Sequence, residues 1–205
     1  MKPPYWLRAR RALARGDPTL AAIMRTHRGT FLVRRGEPFM TLARAIVGQQ
    51  ISVRAAQSVW DRVLLVAPEV TPAAVLALDR ARLRACGLSV RKVEYIADLA
   101  RHFADGTIHV QRWPEMDDEA VIAELVQVRG IGRWTAEMFL IFNLLRPDVF
   151  PVDDLGLLLA IRRAYSTGRS VTPARMRRLA ERWAPWRSVA TWYLWRSLDP
   201  VPVEY

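Results

Sequence analysis

Apolar residues recur at helical spacing along most of the chain. The apolar positions of one short stretch fall on a single helix face: Val121, Ile122, Leu125 and Val128. From Phe39 to Val66 the pattern is again helical, apart from a central Gly48-Gln49-Gln50 that can join two helices or approach a ligand. Only residues 30–39 have some extended character, and no long alternating run appears. The pattern predicts an all-α protein.

Capping residues mark where several helices begin. Three capping side chains each precede a proline suited to a first helical turn: Asp17-Pro18, Thr71-Pro72 and Thr172-Pro173. We expect the helix that begins after Thr71 to continue to Gly87. Asp153 and Asp154 precede an apolar stretch that predicts a helix over Leu155–Tyr165, and carboxylates are favoured at such a helix start.

The charge balance favours a polyanionic partner. The 205 residues include 31 basic and 20 acidic ones, a formal net charge of +11, and only Lys2 and Lys92 of the bases are lysines. Nucleic acid is the first candidate for such a surface, although a compositional bias toward arginine is the alternative. Apolar residues at 51% and charged residues at 25% are ordinary for a folded globular protein.

Several classes of protein are disfavoured. Cys86 is the single cysteine, so an intramolecular disulfide or a cysteine cage for a metal is excluded and a reducing compartment is expected. The three histidines lack metal-ligand spacing and are expected at the surface or at helix ends: His27, His102 and His109. No signal peptide and no apolar run of about 18 residues is present. We therefore expect a soluble, cytoplasmic protein with no membrane partner and no metal site.

Two glycines one residue apart, Gly130 and Gly132, suit a tight connection between two helices. Ile131 between them can enter the core, while the amides of residues 130–133 can form an outward-facing anion site. A DNA phosphate would fit there, with Arg129 and Arg133 adding positive charge. An ordinary turn between helices is the alternative for this motif taken alone.

Residues 125–136, Leu-Val-Gln-Val-Arg-Gly-Ile-Gly-Arg-Trp-Thr-Ala, resemble the helix–hairpin–helix of the DNA glycosylase superfamily with a Gly/Pro-rich loop and a following aspartate (HhH-GPD). Residues 147–154, Pro-Asp-Val-Phe-Pro-Val-Asp-Asp, resemble that loop. Further matching segments extend the resemblance over roughly residues 40–198: 45–53, 87–92 and 180–188. The chain is most similar to the 3-methyladenine DNA glycosylase II family.

The resemblance implies an all-α HhH-GPD fold in which two helical subdomains flank an active-site cleft. We expect residues 1–205 to form a single glycosylase domain. Its approximate subdomains would be residues 40–120, and residues 1–39 together with 121–205.

The resemblance also assigns site residues. Asp154, which lies 20 residues beyond Trp134, is expected to be catalytic, with Asp153 as a helix cap or structural neighbour. The alternative is that both acids only cap the helix. Three residues are expected to bind the extruded base, although core packing is the alternative for the tryptophans: Trp134, Met138 and Trp195. Met138 stands where some relatives carry tyrosine.

The expected DNA-binding residues lie in two turns. Gln50 occupies the family's wedge position, which enters the DNA helix, and Gln49 is its neighbour. The alternative is that both are solvated loop residues. The full set expected to contact DNA is Gln49, Gln50, Arg129, Gly130, Ile131, Gly132, Arg133 and Thr135.

The activity implied is that of a monofunctional DNA glycosylase of base excision repair. It would flip out alkylated, cationic purines such as 3-methyladenine and 7-methylguanine and leave an abasic site. Trp134 stands where bifunctional relatives carry their Schiff-base lysine, so no lyase activity is expected. No organic cofactor is implied, although a monovalent cation could be held by hairpin carbonyls. We expect a monomer acting on double-stranded DNA with alkylated bases, associated with the nucleoid in a bacterium.

Two alternatives remain from the residues alone. One is a non-enzymatic helix–hairpin–helix DNA-binding module, which would not require an aspartate at position 154. The other is a glycosylase for other damaged or mismatched bases, which the absence of the hairpin lysine and of cluster cysteines disfavours.

Overall fold

The computed structural model describes residues 2–166 and 170–198. Within these residues the secondary structure is helical, with no strand, as the apolar pattern predicts. The α-helices in chain order are α1 (Trp6–Gly16), α2 (Pro18–Thr26), α3 (Pro38–Gly48), α4 (Val53–Val66), α5 (Pro72–Ala77), α6 (Arg80–Ala85), α7 (Val90–Ala104), α8 (Asp118–Leu125), α9 (Arg133–Phe142), α10 (Leu155–Tyr165), α11 (Pro173–Ala180) and α12 (Arg187–Leu198). Two 3-10 helices cover Val110–Arg112 and Glu181–Trp183. No helix in the described ranges is long and apolar enough to cross a membrane.

The three expected helix caps are confirmed. The Asp17 carboxylate accepts the Thr19 and Leu20 amides, and the hydroxyls of Thr71 and Thr172 each accept an amide from the first turn of α5 and α11. One boundary prediction is wrong, because the helix that begins after Thr71 ends at Ala77 and does not reach Gly87. The Asp79 carboxylate accepts the Ala81 amide and starts α6 instead, since aspartate competes well for free amides at a helix start.

The chain forms two compact units. The described residues of the first unit are 2–34, 140–166 and 170–198, and the second unit comprises residues 35–139. One boundary therefore falls inside α9, rather than near residue 120 as the sequence suggested. Contacts of the hairpin with α7 explain the difference, since the Arg129 amide donates to Asp98 and Gly130 packs against Tyr95.

The second unit has an aromatic core. Four rings follow one another in edge-to-face contacts, with centroid distances of 5.2, 6.4 and 5.2 Å: Phe39, Phe103, Trp113 and Phe139. Trp113 is fully buried, and its indole donates to Glu124, which also binds the ring of His109. Glu124 thereby satisfies the polar atoms that burial would otherwise leave without a partner.

The first unit is built around α12, which packs against α1, α2 and α10. Trp6 from α1 lies against Trp192 and Tyr193 of α12, with ring centroids 5.2 and 5.6 Å apart. The buried Asp17 carboxylate accepts the indole N–H of Trp183 and the hydroxyl of Tyr165, each over 2.9 Å. This acid therefore ties the start of α2 to the end of α10.

Candidate active site and DNA-binding turns

Asp154 is the N-cap of α10. Its Oδ1 accepts the Leu157 amide over 2.6 Å and the indole N–H of Trp195 over 2.8 Å. The residue is only 8% exposed, whereas Asp153 is exposed. Of the two acids, Asp154 is therefore the one that caps the helix and is held by a second side chain.

The Trp195 ring is fixed on both its polar and its apolar side. It stacks on Phe142 with the centroids 5.7 Å apart and the planes inclined by 15°. Gly156 leaves room for this arrangement, because an added Cβ would lie 3.2 Å from Asp154 Oδ1 and 3.4 Å from Trp195 Cδ1. Phe142 and Gly156 were not identified from the sequence, where neither carries a signal for this role.

The loop that leads into Asp154 is anchored to the start of α12. The Arg187 guanidinium donates to both carboxylate oxygens of Asp148 over 2.8 and 2.7 Å, and the Arg187 amide also donates to Asp148. The amide of Val149, the residue after Asp148, donates to the Ser188 hydroxyl over 2.9 Å. Two-pronged arginine–carboxylate pairing is directional, so it holds the loop in one orientation.

Gly130, Ile131 and Gly132, between α8 and α9, form the part of the hairpin that we call the glycine turn. Gly130 has φ +86°, and a Cβ there would come within 2.2 Å of the Tyr95 ring, so only glycine fits. Ile131 is 4% exposed, which confirms that its side chain enters the core. Its amide donates to the Val128 carbonyl over 3.1 Å. The anion site that we expected from residues 130–133 therefore cannot use the Ile131 amide, which is engaged within the turn.

The two hairpin arginines are paired with acids that the sequence reading did not anticipate. The Arg129 guanidinium lies 3.2 Å from Glu94, and that of Arg133 binds Glu119 and, over 3.1 Å, Glu137. Hydrogen bonding to Glu119 is the main cause that raises the pKa of Arg133. Only the Arg133–Glu137 pair has a spacing, i to i+4, that could have been read from the sequence. These acids offset part of the positive charge expected at the turn.

The last residue of α3, Gly48, and the two residues after it, Gln49 and Gln50, form what we call the wedge turn, which leads toward α4. Gln50 is exposed and has φ +58°, which is uncommon for a residue with a side chain. Gln49 donates from Nε2 to the Gly130 carbonyl over 2.8 Å. The structure thus brings the wedge turn and the glycine turn together within the second unit.

The remaining expected site residues lie on α9. Trp134 is 37% exposed and Met138 is 8% exposed, one helical turn further on. Thr135 is half-buried beside them. Among the residues that the structure describes, no group of three or more His, Cys, Asp or Glu could hold a metal ion. In the hairpin, the Gly130 carbonyl accepts the side-chain amide of Gln49.

Known proteins with similar sequences or structures give these sites a context. A sequence model of the HhH-GPD superfamily of base excision DNA repair proteins matches residues 43–185. The chain is 33% identical over 189 residues to a putative DNA-3-methyladenine glycosylase of Bacillus subtilis, covering 88% of this chain and 66% of that protein. It is also 33% identical over 182 residues to DNA-3-methyladenine glycosylase 1 of Schizosaccharomyces pombe, covering 87% of this chain and 80% of the relative.

The structural similarity extends over nearly the whole chain. A crystal structure of a DNA-3-methyladenine glycosidase from Bacillus halodurans superposes with a TM-score of 0.83 at 31% identity, covering 92% of this chain and 87% of that one. The Schizosaccharomyces pombe 3-methyladenine DNA glycosylase in complex with abasic DNA superposes with a TM-score of 0.79 at 30% identity, covering 97% and 98%. The family-model match and these relatives establish that the chain belongs to the HhH-GPD superfamily of base excision DNA repair proteins.

Proposed function

We propose that this protein is a monofunctional DNA glycosylase that removes alkylated purines, such as 3-methyladenine and 7-methylguanine, from double-stranded DNA. The observation that supports this most strongly is the buried Asp154 carboxylate, whose Oδ1 accepts an indole N–H as well as the capping amide. The named relatives, which are 3-methyladenine DNA glycosylases, support the same activity.

The chemistry suits a single carboxylate. An alkylated purine is already cationic, so the base leaves with the electron pair of the glycosidic bond and needs little acid catalysis. Positive charge then develops on the sugar, and the negative charge of Asp154 stabilises it from one face. Water adds to the anomeric carbon and loses a proton, which leaves an abasic site and the free base.

To extrude a base, the protein needs one group that fills the gap left in the DNA and another that receives the extruded base. We propose that Gln50 fills the gap that the extruded nucleotide leaves, because it is exposed at the tip of the wedge turn. The partly exposed Trp134 ring would receive the cationic base on its electron-rich face. Met138, one turn further along α9, would line the pocket beside Trp134. In the first unit, the proposed role of Trp195 is to direct its indole edge to Asp154.

The glycine turn would bind the DNA backbone without reading sequence. In our proposal the backbone at Gly130, Gly132 and Thr135 contacts a phosphate, and the arginines exchange their carboxylate partners for phosphate contacts. Each phosphate neutralised contributes a slope of about −0.9 to the dependence of log affinity on log salt. Binding of a monomer should therefore weaken steeply between low and moderate salt.

We propose that strand cleavage is absent. A lyase needs an amine at the sugar, and the hairpin position in question holds Trp134. Lys92, in the same unit, donates from Nζ to two backbone carbonyls. Treated DNA should therefore remain intact until alkali or an abasic-site endonuclease is added, and strand breaks without either would contradict this proposal.

The decisive experiment compares wild type with Asp154→Asn on duplex DNA that contains 7-methylguanine. Asparagine is nearly isosteric, caps helices well and can still accept the Trp195 N–H, so folding and DNA affinity should change little. Release of free base should fall by a factor of about 100 to 1,000, as for the loss of a group that stabilises transition-state charge. Asp153→Asn is the matched control and should behave as wild type.

Two other results would redirect the proposal. If wild type and Asp154→Asn bind DNA but neither releases base from any alkylated duplex, the protein is a DNA-binding module. If both release base equally, another residue provides the charge stabilisation. A panel containing 3-methyladenine, hypoxanthine and ethenoadenine duplexes then defines the substrate range.

A further inference from the structure

Lys92, in the first turn of α7, binds backbone carbonyls at the C-terminal end of α3. Its Nζ donates to the Val47 carbonyl over 2.7 Å and to the Gln49 carbonyl over 2.8 Å. Carbonyls at a helix C-terminus have no partner within the helix and carry the negative end of its dipole, so an ammonium group is favourable there. Burial lowers the pKa of Lys92, because it removes water from around the ammonium group.

The residue type at position 92 suits this geometry. Of 31 basic residues in the chain, only Lys2 and Lys92 are lysines. Two carbonyls converge here on a single nitrogen atom. An ammonium directs three N–H donors from one atom, whereas a guanidinium spreads its donors over a plane and is bulkier. Arginine should therefore be a poor replacement, even though it preserves the charge.

The same helix also holds the glycine turn of the hairpin. The Tyr95 ring packs against Gly130, and the buried Asp98 accepts the Arg129 amide over 2.8 Å. Gln49 then joins the two turns directly through its hydrogen bond to the Gly130 carbonyl. The wedge turn and the glycine turn are thus bound to α7 and to each other.

Gln50 follows directly after these contacts in a left-handed backbone conformation. That conformation is unfavourable for a residue with a side chain and persists only where the surroundings enforce it. The residue before Gln50 is Gln49. Its carbonyl accepts a hydrogen bond from Lys92, and its side chain donates one to the Gly130 carbonyl. These contacts leave the turn little freedom to move without losing hydrogen bonds.

We propose that Lys92 and Gln49 are positioning residues that lock the wedge turn to the glycine turn, so that binding of the hairpin to a DNA backbone sets the position of Gln50. The inference rests on the proposed function in assigning Gln50 to the gap in the DNA. Lys92 itself contacts neither the base nor the sugar in this scheme. It acts through the backbone of the turn.

The test measures the preference for a duplex with a tetrahydrofuran abasic analogue over the undamaged duplex of the same sequence. Lys92→Met and Lys92→Arg should each lower that preference about tenfold while the affinity for undamaged DNA changes less than about twofold. Lys2→Met is the matched control, since it removes the other lysine and the same charge, and should leave the preference unchanged. The fluorescence of a 2-aminopurine placed beside the analogue, which rises when the base loses its stacking, should increase less with either Lys92 variant than with wild type.

A double-mutant cycle separates positioning from general destabilisation. In a Gln50→Ala background, Lys92→Met should lower the preference by less than about a further twofold, because the side chain that it positions is already absent. Gln49→Leu, which removes the side-chain hydrogen bond to the Gly130 carbonyl, should also reduce the preference and serves if Lys92→Met does not fold.

Any of four outcomes would overturn the inference. In the first, Lys92→Met leaves the preference for the abasic duplex as Lys2→Met does. In the second, its effect on that preference adds fully to the effect of Gln50→Ala. In the third, Lys92→Arg retains the full preference, which would indicate that Lys92 contacts a phosphate through its charge. A wild-type protein without any preference for the abasic duplex would also overturn it. Base release from a 7-methylguanine duplex is scored separately, so failure of the glycosylase proposal is distinguishable from failure of this one.

Discussion

The indole Nε1 of Trp195 donates a hydrogen bond to Oδ1 of Asp154 over 2.8 Å. A second pair with the same chemistry occurs in the same unit, where Nε1 of Trp183 donates to Oδ2 of Asp17 over 2.9 Å. Both acids are buried helix caps. The two pairs therefore form an internal comparison between a proposed catalytic carboxylate and a structural one.

Replacing each tryptophan with phenylalanine should separate the two roles. Trp195→Phe removes the N–H donor but keeps an aromatic ring against Phe142, so the Asp154 carboxylate loses one of the groups that orient it. We expect single-turnover release of 7-methylguanine to fall about 10- to 100-fold, because small misplacement of a reacting group is costly. The loss of stability should be about 1 kcal/mol.

Trp183→Phe is the control for that measurement. It should lower the free energy of unfolding by about 1–3 kcal/mol, since it leaves a buried carboxylate with one donor fewer. Base release by the folded protein should remain at the wild-type rate. Equal rates for the two variants would show that the Trp195 hydrogen bond has no role beyond packing.

Gly156→Ala should impair the reaction without unfolding the protein. The new methyl group would lie 3.2 Å from Asp154 Oδ1 and 3.4 Å from Trp195 Cδ1, so the carboxylate and indole must shift. Alanine raises helix propensity by up to about 1 kcal/mol, which offsets part of the crowding. We expect an excision rate at least about tenfold lower at nearly unchanged thermal stability. Gly16→Ala, where no atom lies within 4 Å, is the control and should excise at the wild-type rate.

The two glycines of the hairpin should respond very differently to alanine. Gly130→Ala combines left-handed strain with a clash against the Tyr95 ring, so the free energy of unfolding should fall by about 2–5 kcal/mol. At Gly132 an added Cβ meets no atom within 4 Å, and the change should be within about 1 kcal/mol. Urea unfolding of both variants measures the difference, and equal losses would contradict the geometry of the turn.

Asp98 should make stability depend on pH in the acidic range. Burial by itself would raise its pKa, but hydrogen bonds from the Arg129 amide and the Arg101 guanidinium, with the charges of His102 and Arg101, outweigh burial and lower it. Because the folded-state pKa lies below the ordinary value of 3.8, the stabilisation is complete above that pH and is lost as the pH falls through the folded-state pKa.

A comparison of wild type with Asp98→Asn tests whether the stabilisation by Asp98 is lost as the pH falls. At pH 7 the variant should be less stable by about 1–3 kcal/mol, as expected for hydrogen bonds to a charged group. Urea unfolding at successively lower pH should show the difference shrinking below about pH 4. Asp153→Asn, at an exposed position, should show no such trend. A difference that stays constant to pH 2 would mean that the charge of Asp98 is not what stabilises the hairpin.

The features that could be read from the sequence alone depend on local chemistry. The caps at Asp17, Thr71 and Thr172 and the helix Leu155–Tyr165 were predictable, because each depends on side chains within a few residues of the backbone they bind. Burial of Ile131 followed from the glycine on either side of it. The single helix predicted up to Gly87 was wrong for an equally local reason, the competing cap at Asp79.

The contacts between groups that are distant in the chain depend on how the helices pack. Asp154 and Trp195 are 41 residues apart, Gln49 and Gly130 are 81 apart, and Lys92 is 45 residues from Val47. No periodicity encodes such pairs, since they arise when separate helices pack and their polar groups must find partners away from water. The acids that pair with Arg129 and Arg133 were missed for the same reason. The residue types for the proposed chemistry could thus be read from the chain, whereas the contacts that orient them required the fold.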